Sequence, residues 1–333
     1  MNESILKSLL KEYEQKRIYA ELDLDNRKKE LYKHNPKLEE IEKQLNLYAI
    51  QIAKSILLSN NSSNYLENLE TKIANLNKEK NVILNSLNID ESFFRPKYEC
   101  LLCNDTGYIQ NGINSALCNC IKQKLFDIEY NKSNIHDLKN NNFDCFNISL
   151  YSNTVNEELY NSNLSPQDNI INIKKICMNF IKNFNNPLEK NLLFTGNTGL
   201  GKTFLSNCIA NELIKNGKTV LYQTAPVMLD TIMDYRFGKA NISKNVYDNI
   251  LDVDLLVIDD LGTECINSMK FTELFNIINT RILNQNNHIT KTIISTNLSL
   301  QNLKDTYDDR IFSRFVGHYN ICRFFGEDIR FKK

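Results

Sequence analysis

A glycine-rich segment between an apolar run and a helical pattern carries the most specific chemical signal in the sequence. Residues 196–203 fit G-x-x-x-x-G-K-[ST], a pattern that binds nucleotide phosphates. Its glycines permit positive φ angles, so backbone N–H groups and the N-terminus of the next helix can face a phosphate chain. Lys202 would reach the β- and γ-phosphates, and Thr203 would ligate Mg²⁺. The residues expected to contact ATP are Gly196, Asn197, Thr198, Gly199, Leu200, Gly201, Lys202, Thr203 and Phe204.

Two carboxylates end a later apolar run. The sequence Leu-Leu-Val-Ile-Asp-Asp at 255–260 is typical of a strand buried on both faces of a parallel sheet. The carboxyl ends of such strands face the ligand. Asp259 would therefore hold Mg²⁺ through water, and Asp260 would act as general base on the attacking water. The alternative, two solvated acids after a core strand, is disfavoured by the loop at 196–203.

Further polar residues could complete a hydrolytic site. Asn297 ends the apolar strand at 292–296, where it could orient the water or sense the γ-phosphate. Gly326 to Arg330 closes the chain with one more candidate arginine.

Two arginines, Arg310 and Arg314, are four residues apart and therefore share one helical face. A permanently charged, forked side chain suits a γ-phosphate. Supplied from a neighbouring subunit, one of them would act as an arginine finger. The alternative for each is an ordinary ion pair with Asp308 or Asp309.

Four of the nine cysteines form two close pairs. Cys100 and Cys103 precede a turn-rich segment, and Cys118 and Cys120 follow it. This spacing predicts a structural four-thiolate zinc site, because four thiolates leave no open coordination position. Four buried or free thiols are the alternative. The remaining cysteines stand alone in apolar contexts and are expected in the core, namely 145, 177, 208, 265 and 322.

Composition bounds the class of protein. The 333 residues suggest two domains, and the 40 basic and 40 acidic residues balance, so any nucleic-acid surface must be local. No apolar run approaches the ~20 residues that cross a bilayer. The N-terminus opens a charged helical pattern without a signal peptide, which predicts a cytoplasmic protein without membrane contact.

The N-terminal third reads as helices. Apolar residues recur at spacings of three and four from Leu38 to Ile56 and from Leu66 to Leu87. The polar stretch at 60–64 reads as the loop between them. These patterns predict a helical hairpin or short coiled coil, whose stripes pack on each other and could also bind a partner.

The sequence therefore divides into four regions. We predict a helical partner-binding region at 1–92, a zinc-binding module at 93–130, a linker with a leading helix at 131–189, and an α/β ATPase domain at 190–333. An added helical segment lies between Gln223 and Asp252 and interleaves basic and aromatic residues. Such a segment suits a single-stranded nucleic acid, although a solvated basic face explains it equally well.

The order of these motifs resembles that of an AAA+ ATPase. Gly-Leu-Gly-Lys-Thr (199–203), Ile-Asp-Asp-Leu-Gly-Thr-Glu (258–264), Ile-Ser-Thr-Asn (294–297) and Gly-Glu-Asp-Ile-Arg (326–330) resemble bacterial replicative helicase loaders of the DnaC/DnaI type. The cysteine motifs are similar to the zinc module of that group. The resemblance covers roughly residues 95 to 333, and the helical N-terminus only loosely.

The resemblance implies a parallel-sheet P-loop domain that binds ATP and Mg²⁺ and self-associates side by side. Arg314 or Arg310 would reach the neighbour's nucleotide, and segment 226–250 would contact single-stranded DNA. The N-terminal helices and the zinc module would bind the hexameric replicative helicase.

Two departures from the wider AAA+ pattern stand out. Asp260 replaces the usual glutamate, which predicts slow hydrolysis, and no helical lid follows Gly326, which leaves Arg330 as the candidate sensor arginine. Two other functions remain open: an IstB-like ATPase that assists a transposase, and a non-hydrolysing adaptor in which ATP only supports the fold.

Overall fold

The computed structural model describes residues 3–57, 63–112, 114–129, 141–238, 245–265, 267–284 and 288–331. The chain divides into two compact units, Lys7–Ala116 and Met1–Leu6 with Leu117–Lys333. Among the described helices, none is both long and apolar enough to cross a bilayer.

The first unit is built mainly from long helices. They are α1 (Glu3–His34), α2 (Pro36–Leu57) and α3 (Ser63–Ser86), followed by a 3₁₀ turn (Glu91–Phe94) and the two-stranded sheet of β1 (Tyr108–Asn111) and β2 (Asn114–Leu117).

Apolar stripes explain how α2 and α3 pack. Leu38, Ile41, Leu69 and Leu84 are all buried, as the three-and-four spacing predicts. The predicted loop at 60–64 extends two residues too far, because α3 already begins at Ser63. The remainder of that loop lies outside the described residues.

The second unit alternates helices and strands. Its helices are α4 (Asn119–Glu129), α5 (Glu157–Tyr160), α6 (Pro166–Lys182), α7 (Lys202–Lys215), α8 (Ala225–Arg236), α9 (Asn245–Asp252), α10 (Ser268–Asn284), α11 (Leu300–Thr306) and α12 (Asp309–His318). Its strands are β3 (Asn191–Thr195), β4 (Val220–Thr224), β5 (Leu255–Leu261), β6 (Lys291–Thr296) and β7 (Tyr319–Arg323).

The five strands form a parallel sheet in the order β4-β5-β6-β3-β7. Successive side chains point to opposite faces, so Leu192 and Phe194 join one core while Leu193 joins the other. Residues of α6 and α7 pack on the first face, and residues of α8 to α12 pack on the second. Burial on both faces explains the continuous apolar runs, and it confirms the predicted α/β class with a parallel sheet between helices.

Two cysteines differ from the expectation that they lie in the core. Cys177, Cys208 and Cys322 are buried, but Cys145 and Cys265 are exposed. Both exposed residues lie in connections between the main elements, where an apolar neighbour in sequence does not imply a buried position.

Candidate functional site

The phosphate-loop sequence lies between β3 and α7, as its pattern requires. The buried strand β3 ends at Thr195, and α7 begins at Lys202. Gly196 has φ +137°, and a Cβ there would overlap the carbonyl oxygen of Phe324. At Gly199, with φ +73°, a Cβ would overlap the carboxylate of Asp328. Backbone conformation therefore favours glycine at both positions, and at Gly196 the backbone of Phe324 also leaves no space for a side chain.

Lys202 is held by oxygen atoms at the start of this loop. Its Nζ donates to the carbonyl oxygens of Gly196 (2.6 Å) and Asn197 (2.7 Å) and to Oδ1 of Asn297 (2.8 Å). Burial lowers the pKa of Lys202, while the charges of Asp260 and Asp259 oppose that shift. The ammonium group is thus desolvated and held by neutral acceptors that a phosphate oxygen can replace.

Asp259 is buried at the end of β5 and accepts hydrogen bonds at both carboxylate oxygens. Tyr222 donates its hydroxyl to Oδ2 (2.7 Å), and Ser295 donates its hydroxyl to Oδ1. These partners come from β4 and β6, the two strands that flank β5. They fix the orientation of the carboxylate that the sequence assigns to magnesium.

Asp260 lies where the β5–β6 register becomes irregular, between Ile258 and Leu261. Its φ of +54° turns the side chain out of the regular ladder. Burial and the neighbouring Asp259 charge raise the pKa of Asp260, and Lys202 lowers it. A carboxylate with a raised pKa is a stronger base, which suits the role expected of it.

A cleft of about 380 Å³ is lined by many of these groups, although Gly196, Asn197 and Asp259 are not among its described lining residues. Its lining combines the loop with residues from two strand ends and the C-terminal segment: Thr198, Gly199, Leu200, Gly201, Lys202, Thr203, Phe204, Asp260, Asn297, Ile329 and Arg330. Most of the residues expected to contact ATP therefore surround one cavity. The structure thus brings these residues together, and the role of each in ATP binding stays a prediction.

Arg330 reaches the cleft through the chain that follows β7. The backbone N–H of Ile329 donates to the carbonyl of Gly199 (2.9 Å), which fixes this segment to the loop. The guanidinium of Arg330 pairs with Asp328, whose pKa is lowered mainly by that hydrogen bond. Arg330 is exposed, so its charge can approach a ligand.

Arg310 and Arg314 lie on α12, and within the described part of the chain neither lines this cleft. Arg310 pairs with Asp308 (2.7 Å), so the ion pair considered as an alternative does form. Nε of Arg314 donates to Oδ1 of Asn279 (3.0 Å). Neither arginine is placed to act on its own chain's cleft, and action on a neighbouring copy stays a prediction.

The cysteine segment forms a compact group of donors. The Sγ atoms of Cys100, Cys103, Cys118 and Cys120 all lie within 4.8 Å of one another. The carboxylate of Asp105 accepts from the backbone N–H groups of Glu99 (2.9 Å) and Cys100 (2.8 Å), which shapes the turn. Four thiolates at this spacing are compatible with tetrahedral zinc.

Sequence patterns missed several residues that support the site. Tyr222 and Ser295 orient Asp259, and the hydroxyl of Tyr151 donates to the carbonyl of Leu200 (3.2 Å) in the loop. No local motif marks Tyr222 or Tyr151, because each reaches the site from a distant part of the sequence. Ser295 lies within the Ile-Ser-Thr-Asn motif (294–297), which by itself gave this residue no role.

The sheet order, the loop after β3 and the acidic end of β5 define a P-loop ATP-binding domain of the AAA+ type. A family model for IstB-like ATP binding proteins matches residues 154–333. The chain belongs to this family.

The chain is also similar to proteins named as replicative helicase loaders. The replicative helicase loader DnaC of Buchnera aphidicola subsp. Baizongia pistaciae is 28% identical over 50% of this chain and 64% of its own. DnaC of Escherichia coli K12 is 27% identical over 37% of this chain and 48% of its own. A solved structure titled as the DnaC helicase loader is 23% identical, with a TM-score of 0.40 over 54% of this chain and 96% of that chain. The chain thus spans about half to two thirds of these two curated relatives.

Proposed function

We propose that this chain is an ATP-hydrolysing loader of a hexameric replicative DNA helicase, acting in the cytoplasm. The observation that carries the proposal is the cleft that gathers Lys202, Asp260, Asn297 and Arg330 around the phosphate-loop sequence. Membership of an ATP-binding family and similarity to proteins named replicative helicase loaders support it.

In this proposal the cleft binds the triphosphate through backbone N–H groups of residues 196–203. Lys202 exchanges its carbonyl partners for phosphate oxygens. Arg330 leaves the carboxylate of Asp328 and pairs with the negatively charged phosphates instead. Thr203 and Asp259 would hold magnesium, which would supply positive charge to the phosphates. Asp260 accepts a proton from the attacking water, while Asn297 orients that water.

Arg310 or Arg314 completes the site of a second copy. Both lie on one face of α12 and outside their own chain's cleft, which favours action between copies. The ATPase domains would therefore associate side by side, each supplying an arginine to the next.

A subunit-mixing experiment tests this arrangement. Arg314→Ala should leave ATP affinity within about twofold but lower turnover at least about tenfold, because an arginine finger contributes up to about 10³–10⁵ in rate. Arg314→Ala mixed with Lys202→Ala should be more active than either alone, since one chain supplies the intact cleft and the other the arginine. A mixture no more active than the average of its components would contradict the assignment. Arg310→Ala, measured in parallel, decides between the two arginines.

The regions before the ATPase domain would bind the helicase. We assign residues 1–92 to helicase contact, 93–130 to a zinc-stabilised module and 131–189 to the connection and leading helix. Exposed apolar residues on α1 and α2, including Tyr19 and Ile50, suit a protein partner.

Metal analysis tests the zinc module. Cys103→Ser should reduce bound zinc from about one ion per chain to a small fraction, because three thiolates hold the ion far more weakly than four. It should also weaken helicase binding without abolishing ATP binding. Cys265→Ser, at an exposed cysteine outside the cluster, is the matched control. Equal zinc content in Cys103→Ser and wild type, by atomic emission, would refute the cluster.

Single-stranded DNA would contact segment 226–250. In the described part of this segment, Arg236 stacks on Tyr247 (5.0 Å) and pairs with Glu273. Two further basic residues of the segment, Lys239 and Lys244, lie outside the described residues.

Two experiments, co-purification and an ATP hydrolysis assay, separate the loader from the transposase-assisting ATPase and the adaptor. The cysteine cluster and the helical unit lie outside the matched family region, which favours a loader over a transposase-assisting ATPase. The host's replicative helicase should co-purify with the wild-type chain, and ATP should change the amount retained. Absence of the helicase with and without ATP would reject the loader. Failure of the wild type to hydrolyse ATP, with or without single-stranded DNA, would favour the adaptor.

A further inference from the structure

A buried glutamate, Glu264, bridges two parts of the ATP-binding unit that are distant in sequence. One of its carboxylate oxygens accepts a hydrogen bond from the backbone N–H of Gly262 (2.8 Å). The other accepts from the hydroxyl of Tyr307, which is 1% exposed. Burying a carboxylate costs free energy, so an apolar side chain would suit a purely structural contact better.

Gly262 belongs to the turn at 260–264, called here the Asp260 loop, which starts in the irregular last residues of β5. The hydroxyl of Thr263 donates to the carbonyl of Asp260 (2.8 Å), which closes the loop. A Cβ on Gly262 would lie 2.7 Å from the side chain of Leu298, the residue after Asn297. The loop is thus closed by a hydrogen bond and packed against Leu298. A displacement of Asp260 should therefore also displace Gly262.

Tyr307, at the other end of the Glu264 bridge, lies just before α12. Asp308 follows it directly and caps this helix by accepting from the backbone N–H of Arg310 (2.9 Å). The same carboxylate pairs with the Arg310 guanidinium (2.7 Å). The backbone N–H of Tyr307 donates to the carbonyl of Leu303 (2.9 Å), which fixes this junction to α11. A shift of the Tyr307 hydroxyl therefore acts at the N-terminus of the arginine helix.

We propose that Glu264 and Tyr307 are positioning residues that couple the nucleotide cleft of a chain to the arginines it offers to a second copy. The inference rests on the proposed function, because it assigns Arg310 or Arg314 to a neighbour's nucleotide. Nucleotide binding moves the Asp260 loop, and the bridge passes that displacement to α12. Coupling of this kind travels through contiguous packed and hydrogen-bonded groups, which the bridge supplies.

Hydrogen exchange of backbone amides tests the bridge at two places in one experiment. The full chain is measured with and without a non-hydrolysable Mg²⁺–ATP analogue, at a concentration where light scattering shows single chains. In the wild type, the analogue should slow exchange at residues 196–205 and also change it at 307–314. In Tyr307→Phe and in Glu264→Gln, the slowing at 196–205 should persist and the change at 307–314 should be lost.

The matched control is Tyr319→Phe, which removes the hydroxyl of another buried tyrosine of the same unit. It should keep both responses, and unchanged exchange in β3 without nucleotide shows that each variant is folded. Persistence of the 307–314 response in both bridge variants would overturn the inference. A wild type protected at 196–205 but unchanged at 307–314 would overturn it as well, and would leave the proposed function standing. Absence of protection at 196–205 in the wild type would overturn the proposed function itself.

Discussion

Lys202→Ala is expected to raise the dissociation constant for MgATP about 100-fold and to abolish measurable ATP hydrolysis. Lys202 is 5% exposed and its ammonium group contacts oxygen acceptors, so its hydrogen bond to a phosphate forms largely away from bulk water. Loss of a charge-assisted bond worth about 3 kcal/mol corresponds to about 100-fold in affinity. Fluorescent-nucleotide titration and steady-state phosphate release measure the two effects.

The control for this substitution lies on the same helix. Lys215 ends α7 and makes a surface ion pair with Glu212 (2.7 Å), so Lys215→Ala should leave nucleotide affinity and turnover unchanged. Nucleotide affinity of Lys202→Ala within about threefold of wild type would contradict the placement of the phosphates in this cleft.

Arg281→Met is expected to lower the free energy of unfolding of the ATP-binding unit by about 3–5 kcal/mol. Arg281 is 1% exposed and donates to the carbonyls of Ile250, Leu251, Val253 and Lys291 and to the hydroxyl of Thr292. Burial lowers its pKa to about 10, so it stays charged near neutral pH. Methionine replaces most of the side-chain volume but leaves these buried acceptors without the donors of Arg281, which is the source of the expected loss.

Urea unfolding followed by circular dichroism measures this loss. Arg323→Met is the matched control, because Arg323 also donates to two backbone carbonyls, of Tyr160 (2.8 Å) and Asn161 (3.4 Å), but is exposed. Water can replace its bonds, so the control should lose less than about 1 kcal/mol. If Arg281→Met and Arg323→Met lost the same free energy of unfolding, burial of the acceptors would not explain the loss in Arg281→Met.

Local sequence was sufficient for the parts of the site that depend on spacing within one segment. In the loop at 196–203 and in the apolar run that precedes Asp259, the same residues determine both the chemistry and the backbone conformation, through glycine content and apolar character. Parallel strands place their carboxyl ends at one edge, which is why Asn297 could be expected beside Lys202 before the structure was known.

Long-range partners could not be predicted in the same way. Tyr222 lies in an apolar strand pattern that carries no functional signal. Only the pairing of β4 with β5 brings its hydroxyl to Asp259. No local motif sets Arg281 apart from other helical arginines, although its guanidinium donates to backbone carbonyls of two separate segments, 250–253 and Lys291. Such positions depend on strand order and helix packing, which a periodic pattern does not encode.

A crystal structure with a Mg²⁺–ATP analogue tests the central claim most directly. The account predicts a triphosphate bound by the backbone N–H groups of residues 196–203, with Nζ of Lys202 moved from the carbonyls of Gly196 and Asn197 to phosphate oxygens. A cleft without nucleotide at saturating analogue, or a nucleotide bound elsewhere while Lys202 keeps those carbonyls, would contradict it.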